Sequence, residues 1–116
     1  MSVVWQVLLA DQAELDLLDI TIWTVETFGG RQADEYAETI TLAIEALHDG
    51  PEILGVIERN DIGSGICTLH VARLGRKGRH FVMFKSSAQH KIEVLRLLHD
   101  SMDLTRHLPS GDGGQQ

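Results

Sequence analysis

An α+β domain, with a helical hairpin packed on one face of a small antiparallel sheet, is the fold this sequence predicts, and three observations predict it. Residues 11–28 contain no Gly or Pro, and their apolar side chains recur every three or four positions. A second segment of the same kind begins just beyond "FGG", a connection so short that the two helices must fold back on each other. In the second half, apolar and β-branched runs alternate with glycine-bounded turns, the pattern of paired strands. A chain of 116 residues has room for one domain, placed at 1–109, while "SGDGGQQ" at 110–116 reads as a disordered tail.

The elements follow in order. "VVWQVLL" at 3–9 is short, β-branched and aromatic, as a first strand should be. A helix is expected from Asp11, where Asp11, Glu14 and Asp16 suit the positive end of the helix dipole. Ala13, Leu17, Ile20 and Trp23 mark its apolar face, widened by Leu18, Ile22 and Val25. Glycines 29 and 30 supply the corner. Ala33, Tyr36, Ala37, Ile40, Ala43, Ile44 and Leu47 then define a second helix, which "HDGPE" ends with Gly50 and Pro51. "ICTLHVARL" (66–74) and "RHFVMFK" (79–85) flank the turn "GRKG" and form a predicted hairpin. "KIEVLRLL" (91–98) is a third strand, and "DSMDLTRHL" (100–108) a short helix capped by Asp100 or Ser101 and closed by Pro109. This arrangement leaves one sheet face open, and function is expected there.

Composition narrows the function classes. No apolar run reaches the ~18 residues needed to span a bilayer, and the first residues lack the basic start of a signal peptide, so a cytoplasmic location and no membrane partner are expected. Cys67 alone permits neither an internal disulfide nor a cysteine zinc cage, and reads as a structural thiol on a strand. The net charge of −7 conceals a split: residues 1–58 hold 12 acidic groups against Arg31 alone, and residues 59–116 hold 9 basic against 5 acidic. Two surfaces with different partners, or intramolecular complementarity, would each account for it.

Few motifs suggest chemistry. His70 and His80 could face each other across the hairpin, but two imidazoles with no placed carboxylate make a poor metal site, and no metal or cofactor is expected. "HDS" at 99–101 invites a triad reading, yet triads are assembled from residues distant in sequence. The basic set Arg73, Arg76, Lys77, Arg79, Lys85, Lys91 and Arg96 could gather on the sheet and its turn, or merely neutralise the acidic helices. Phe81 and Phe84 sit on opposite faces, so only one ring could stack on a nucleic acid beside it. "LGRKG" joins two strands and does not open a helix, so its glycines fit turn geometry better than phosphate binding.

"ELDLLDI", "FGGRQADEY", "GSGICTLHVARLGRKGRHFVMF" and "EVLRLLHDSMDLTRHL" together resemble the ParE toxins of the RelE/ParE superfamily, the toxin halves of bacterial type II toxin–antitoxin pairs, over residues 3–109. The most specific part is the end, where Leu97, Leu98, His99, Met102, Asp103, His107 and Leu108 follow the ParE pattern. The resemblance implies a RelE/ParE-like fold and a cytoplasmic toxin that inhibits DNA gyrase by direct binding, with roles in plasmid stabilisation and the stress response. It also implies a cognate ParD-like antitoxin, through whose complex any sequence-specific nucleic acid binding would run. RelE members instead cut messenger RNA on the ribosome with basic and aromatic side chains. Here the only tyrosine, Tyr36, falls on a helix stripe, which favours a binding poison with no catalytic residues; the alternatives are a ribosome-dependent mRNA endonuclease of RelE type, in which His99 and Arg96 could serve as base and electrophile, and a non-toxic partner in transcriptional autoregulation. The target-facing candidates are Arg73, Arg79, Arg96, His99, Met102 and His107, and the antitoxin-facing candidates are Leu15, Leu18, Ile22 and Trp23. Cys67 and Phe84 stand where relatives often carry arginine and tyrosine, and Asp100 and Ser101 where they are often polar or basic.

Overall fold

The computed structural model describes residues 3–102. The expected C-terminal helix beyond Met102, with His107, and the tail lie outside the described residues. Strand β1 (Gln6–Leu9) leads into helix α1 (Asp11–Phe28), then α2 (Gly30–Ala46) and a 3₁₀ turn (Leu47–Asp49). Strands β2 (Ile57–Glu58), β3 (Cys67–His70), β4 (His80–Ser87) and β5 (Lys91–His99) follow. The α+β class and the helical hairpin on a sheet are as expected.

The hairpin turns on one residue. Gly29 holds φ at 95°, a left-handed conformation that glycine adopts without Cβ strain, and its N–H closes α1 on Val25 O while its C=O accepts the Ala33 N–H that opens α2. At the far end Gly50, with φ at 106°, brings the chain under the Trp5 ring, where a Cβ would lie 3.0 Å from Nε1.

The five strands lie in the order β1-β5-β4-β3-β2. The sheet is mixed and not wholly antiparallel, because β1 pairs parallel to β5 through Gln6↔Lys91 to Leu9↔Val94. No local turn signal could have revealed this pairing, since the rest of the domain lies between the two strands. Strand β3 stops at His70, short of the expected Leu74, and residues 71–79 leave the sheet as a loop. Strand β2 has two residues, below the length at which any periodicity can be read. A bulge between Met83 and Phe84 sets Met83 opposite Arg96 and Phe84 opposite Val94, so Leu95 has no cross-strand partner.

The main core lies between the helices and one sheet face, around Ile40, Leu47, Leu69, Val82, Phe84 and Val94. The opposite sheet face is not open, contrary to expectation. Ile62 and Ile66, in the loop before β3, cover Met83, Leu95 and Leu98, with Phe81 at the margin. The runs "HFVMF" and "EVLRLL" are apolar at successive positions, as strands buried on both faces require. The stripe on α1 also needs correction. Ala13, Leu17 and Ile20 turn inward as predicted, but the next inward position is Thr24, and Trp23 is 59% exposed.

Candidate functional site

The polar residues converge where β3, β4 and β5 leave the sheet beside the first half of α2. The β4–β5 register sets His80 opposite His99, with ring centroids 5.2 Å apart, edge to face. His70 pairs with Phe81, not with His80, and its ring meets the Phe81 ring edge-on at 4.8 Å. Tyr36 reaches down from α2. Its Oη accepts the Arg79 N–H at 2.8 Å and lies 2.7 Å from His80 Nδ1. Gly78 makes this possible, since a Cβ there would overlap Val71 Cγ2 and press on the Tyr36 ring.

Hydrogen-bond accounting fixes the tautomers of His70 and His99. Tyr36 Oη accepts from Arg79 and keeps a second lone pair and its own proton, so its contact with His80 Nδ1 runs in the direction that the His80 tautomer sets. His70 Nδ1 accepts the Ala72 N–H at 3.0 Å, leaving Nε2–H to donate to Asp100 Oδ2 at 3.0 Å. His99 Nδ1 accepts the Ser101 N–H at 3.1 Å and the Ser101 hydroxyl at 2.8 Å. Burial, and then the neighbouring His99, push the His80 pKa down to about 4, so the ring is neutral near pH 7. Burial likewise pushes the Tyr36 phenol up.

Asp100 ties the strand ends together. Its carboxylate accepts from His70 and from Arg79 Nε at 3.1 Å, and its N–H donates to Arg79 O at 2.7 Å. The His70 hydrogen bond, with Arg79 adding to it, holds the Asp100 carboxyl below its ordinary pKa. The "HDS" stretch is not a triad. A triad needs serine and carboxylate on opposite ring nitrogens, but Ser101 Oγ and the Asp100 oxygen at 3.7 Å both approach His99 Nδ1. Among the described residues no group of three His, Cys, Asp or Glu side chains could hold a metal ion.

The target-facing candidates separate into three places. Arg79, His99 and Met102 share this end of the sheet, with Arg79 68% exposed at its side chain. Arg73 lies across the 71–76 loop, on a groove of about 470 Å³ between that loop and α2, lined also by Leu42, Leu74 and Arg76. Arg96 points to Asp16 on α1, with Nε–Oδ2 at 2.8 Å and both side chains largely buried. Asp16 also accepts the Leu97 N–H at 2.9 Å, beyond the point where β1 stops pairing with β5. Burial raises the Asp16 pKa, but Arg96, the Leu97 N–H and Gln12 outweigh it and hold the carboxyl below its ordinary value. His107 lies outside the described residues.

The antitoxin-facing candidates Leu15, Leu18, Ile22 and Trp23 are all on the solvent side of α1. Val25 and Phe28 join them there, and Trp23 and Phe28 meet edge to face at 5.8 Å. Sequence reasoning passed over Tyr36, His70, His80 and Asp100 as a group. The one available signal was the placement of His80 and His99 at opposite ends of adjacent strands, which an antiparallel register brings together. Cys67 is buried, and burial followed by nearby Glu58 pushes its thiol pKa up, as befits a structural thiol. No helix among the described residues is long and apolar enough to cross a membrane.

Comparison with known proteins gives one consistent picture. A family model described as the ParE toxin of type II toxin-antitoxin system, parDE, matches residues 7–104. Toxin ParE1 of Caulobacter vibrioides is 28% identical over 100 residues, covering 86% of this chain and 94% of that protein. The solved chromosomal ParDE TA system from P. aeruginosa superposes with a TM-score of 0.67 at 21% identity, covering 83% of this chain and 96% of that one. The toxin-antitoxin complex RelBE2 from Mycobacterium tuberculosis does so at 0.55 and 19%, covering 85% and 94%. At these identities the structural likeness establishes the fold.

Proposed function

The chain belongs to the ParE family of type II toxin–antitoxin toxins, and from that premise we propose that it inhibits DNA gyrase by direct binding and is neutralised by a cognate ParD-like antitoxin. The state of the imidazoles carries the binding reading. In His70 and His99 the Nδ1 atom is occupied as an acceptor, in His80 it is taken up by the Tyr36 hydroxyl, and Ser101 spends its proton on His99. None of these groups is an activated nucleophile or a base facing solvent through Nδ1. What the end of the sheet offers a partner is a patch of Arg79, His99 and Met102, in which Asp100 holds Arg79 and the Met102 N–H donates to His99 O.

Arg96 has a different part in this proposal. Its guanidinium fixes the β5 end against α1, so it positions the patch from behind. Alanine at Arg96 would disturb packing as well as binding, and Arg79 and His99 are the cleaner probes. Leu15, Leu18, Ile22 and Trp23 remain the antitoxin-facing set, because an apolar surface of this kind normally marks a partner site.

The test is accumulation of cleaved DNA by purified gyrase, with ATP and supercoiled plasmid, as the chain is titrated in without antitoxin. Breaks that vanish on adding antitoxin, and that weaken when Arg79 and His99 become alanine in a folded protein, are expected. Absence of breaks would overturn the gyrase reading. A second reading has one observation in its favour: three imidazoles, a tyrosine and Arg79 lie within one cluster, the residue types that a ribosome-dependent mRNA endonuclease of RelE type would use. Messenger cleavage in a translating extract would select it, and antitoxin binding without growth arrest would select a non-toxic partner in transcriptional control.

A further inference from the structure

The chain carries 17 Asp and Glu residues, yet none falls between Ile62 and Ile92. That stretch holds six of the ten Lys and Arg residues, and four of them, Arg73, Arg76, Lys77 and Arg79, lie in the connection between β3 and β4. The fold neutralises these four unequally. Arg76 is held on α2 by Glu38 and Thr39. Arg79 meets Asp100 through Nε, with its side chain 68% exposed. Arg73 and Lys77 make no ion pair among the described residues, and Lys77 is exposed.

An apolar side chain stands among these cations. Residues 73–76 form a tight turn, closed by the Arg76 N–H on Arg73 O at 3.1 Å, with Leu74 at φ 55° and Gly75 at φ 83°. Two positive φ values in succession are the signature of a turn that favours Asn-Gly, and a leucine in the first position is strained. Its side chain is 85% exposed. Folding gains nothing from a leucine there, whereas a contact outside the chain would.

Cations with no carboxylate between them in sequence suit the phosphates of a nucleic acid. Single strands are bound by stacking on aromatic rings, and Tyr36, which borders the loop at Gly78, is committed to His80 and the Arg79 N–H. A leucine flanked by cations fits the deoxyribose walls of a DNA minor groove better than the 2′-hydroxyls that line the same groove in RNA. We infer that the β3–β4 loop binds duplex DNA without reading its sequence, with Arg73, Lys77 and Arg79 on phosphates and Leu74 in the minor groove. This goes beyond the gyrase reading; where that reading holds, the DNA is the segment that gyrase itself grips, and the chain meets enzyme and DNA together.

The test is fluorescence anisotropy of a labelled duplex DNA of mixed sequence, titrated with the full chain across a salt series. Affinity is expected to fall with salt at a log–log slope of about −2 to −3, as three phosphate contacts require. Arg73→Gln with Lys77→Gln should reduce the magnitude of that slope by about 2. Lys85→Gln with Lys91→Gln makes the same charge change at the opposite end of the β4–β5 pair and should leave the slope unaltered. Leu74→Gly should weaken binding at least ~5-fold at constant slope without lowering the urea midpoint, since glycine adopts positive φ freely. The same duplex made as RNA should bind at least ~5-fold more weakly. No DNA binding by the folded chain, equal losses in the two double variants, or RNA bound as tightly as DNA would each overturn the inference. So would an Arg73, Lys77 double variant that loses binding to DNA-free gyrase while keeping its hold on DNA, because the cations would then serve an acidic protein face. Breaks trapped by gyrase without duplex binding by the chain overturn this inference alone. Duplex binding without breaks removes the gyrase reading and leaves this inference standing.

Discussion

Asp16 is the residue through which α1 is registered on the sheet. Its carboxylate takes two bonds from Arg96 and the Leu97 N–H, all from β5, so removing it leaves a largely buried guanidinium and a backbone donor to find other partners. Asp16→Ala is expected to cost about 2–4 kcal/mol in urea unfolding, whereas Asp16→Leu with Arg96→Met should recover most of that loss. His80 gives a pH dependence whose sign follows from its lowered pKa. The unfolded chain binds the proton near the ordinary value of 6.5, and the folded chain only near about 4. Stability is therefore complete above 6.5 and falls as the pH drops from 6.5 toward 4, with one extra proton taken up on unfolding. The lowered carboxyls of Asp16 and Asp100 lose their contribution only below their ordinary value of 3.8, outside that window. Urea midpoints measured from pH 7 to 4 should show the slope in the wild type and its loss in His80→Gln.

At the scale of elements, the loop from 71 to 79 is held to α2 by two devices. Arg76 reaches the buried Thr39 Oγ1 at 2.9 Å and the exposed Glu38 at 3.2 Å, and the exposed ion pair is worth little alone. The closer fit is at Gly78, against Val71 and Tyr36. Gly78→Ala should force that contact apart, at about 1–3 kcal/mol in thermal or urea unfolding, and should speed hydrogen exchange at the Arg79 amide that Tyr36 accepts. The same argument explains why β4 and β5 read as unbroken apolar runs. Phe84 and Val94 serve the helical side while Met83 and Leu98 serve the side capped by Ile62 and Ile66. A strand with one wet face would have alternated.

At the scale of the whole molecule, part of the charge split is intramolecular complementarity. Arg76 with Glu38 and Arg96 with Asp16 join the basic half to the acidic helices, while Arg73 and Lys77 make no ion pair among the described residues and add to the field around Arg79. Under the gyrase proposal, association should slow as salt rises, and Arg79→Glu should lower the association rate constant by about 10-fold at low ionic strength and less at high. Stopped-flow mixing with gyrase would measure both. The sequence by itself determined the two helices, the β4–β5 strands and the partition of charge, because periodicity, glycine corners and composition are local properties, and its motifs carried the resemblance to the family. Only the tertiary structure decided that β1 lies parallel to β5, that Ile62 and Ile66 close the second sheet face, that Arg96 is held by Asp16, and that Tyr36, His80 and His99 meet. Each of these depends on register between segments 17 to 85 residues apart in the chain, and a one-residue slip would reverse every face involved.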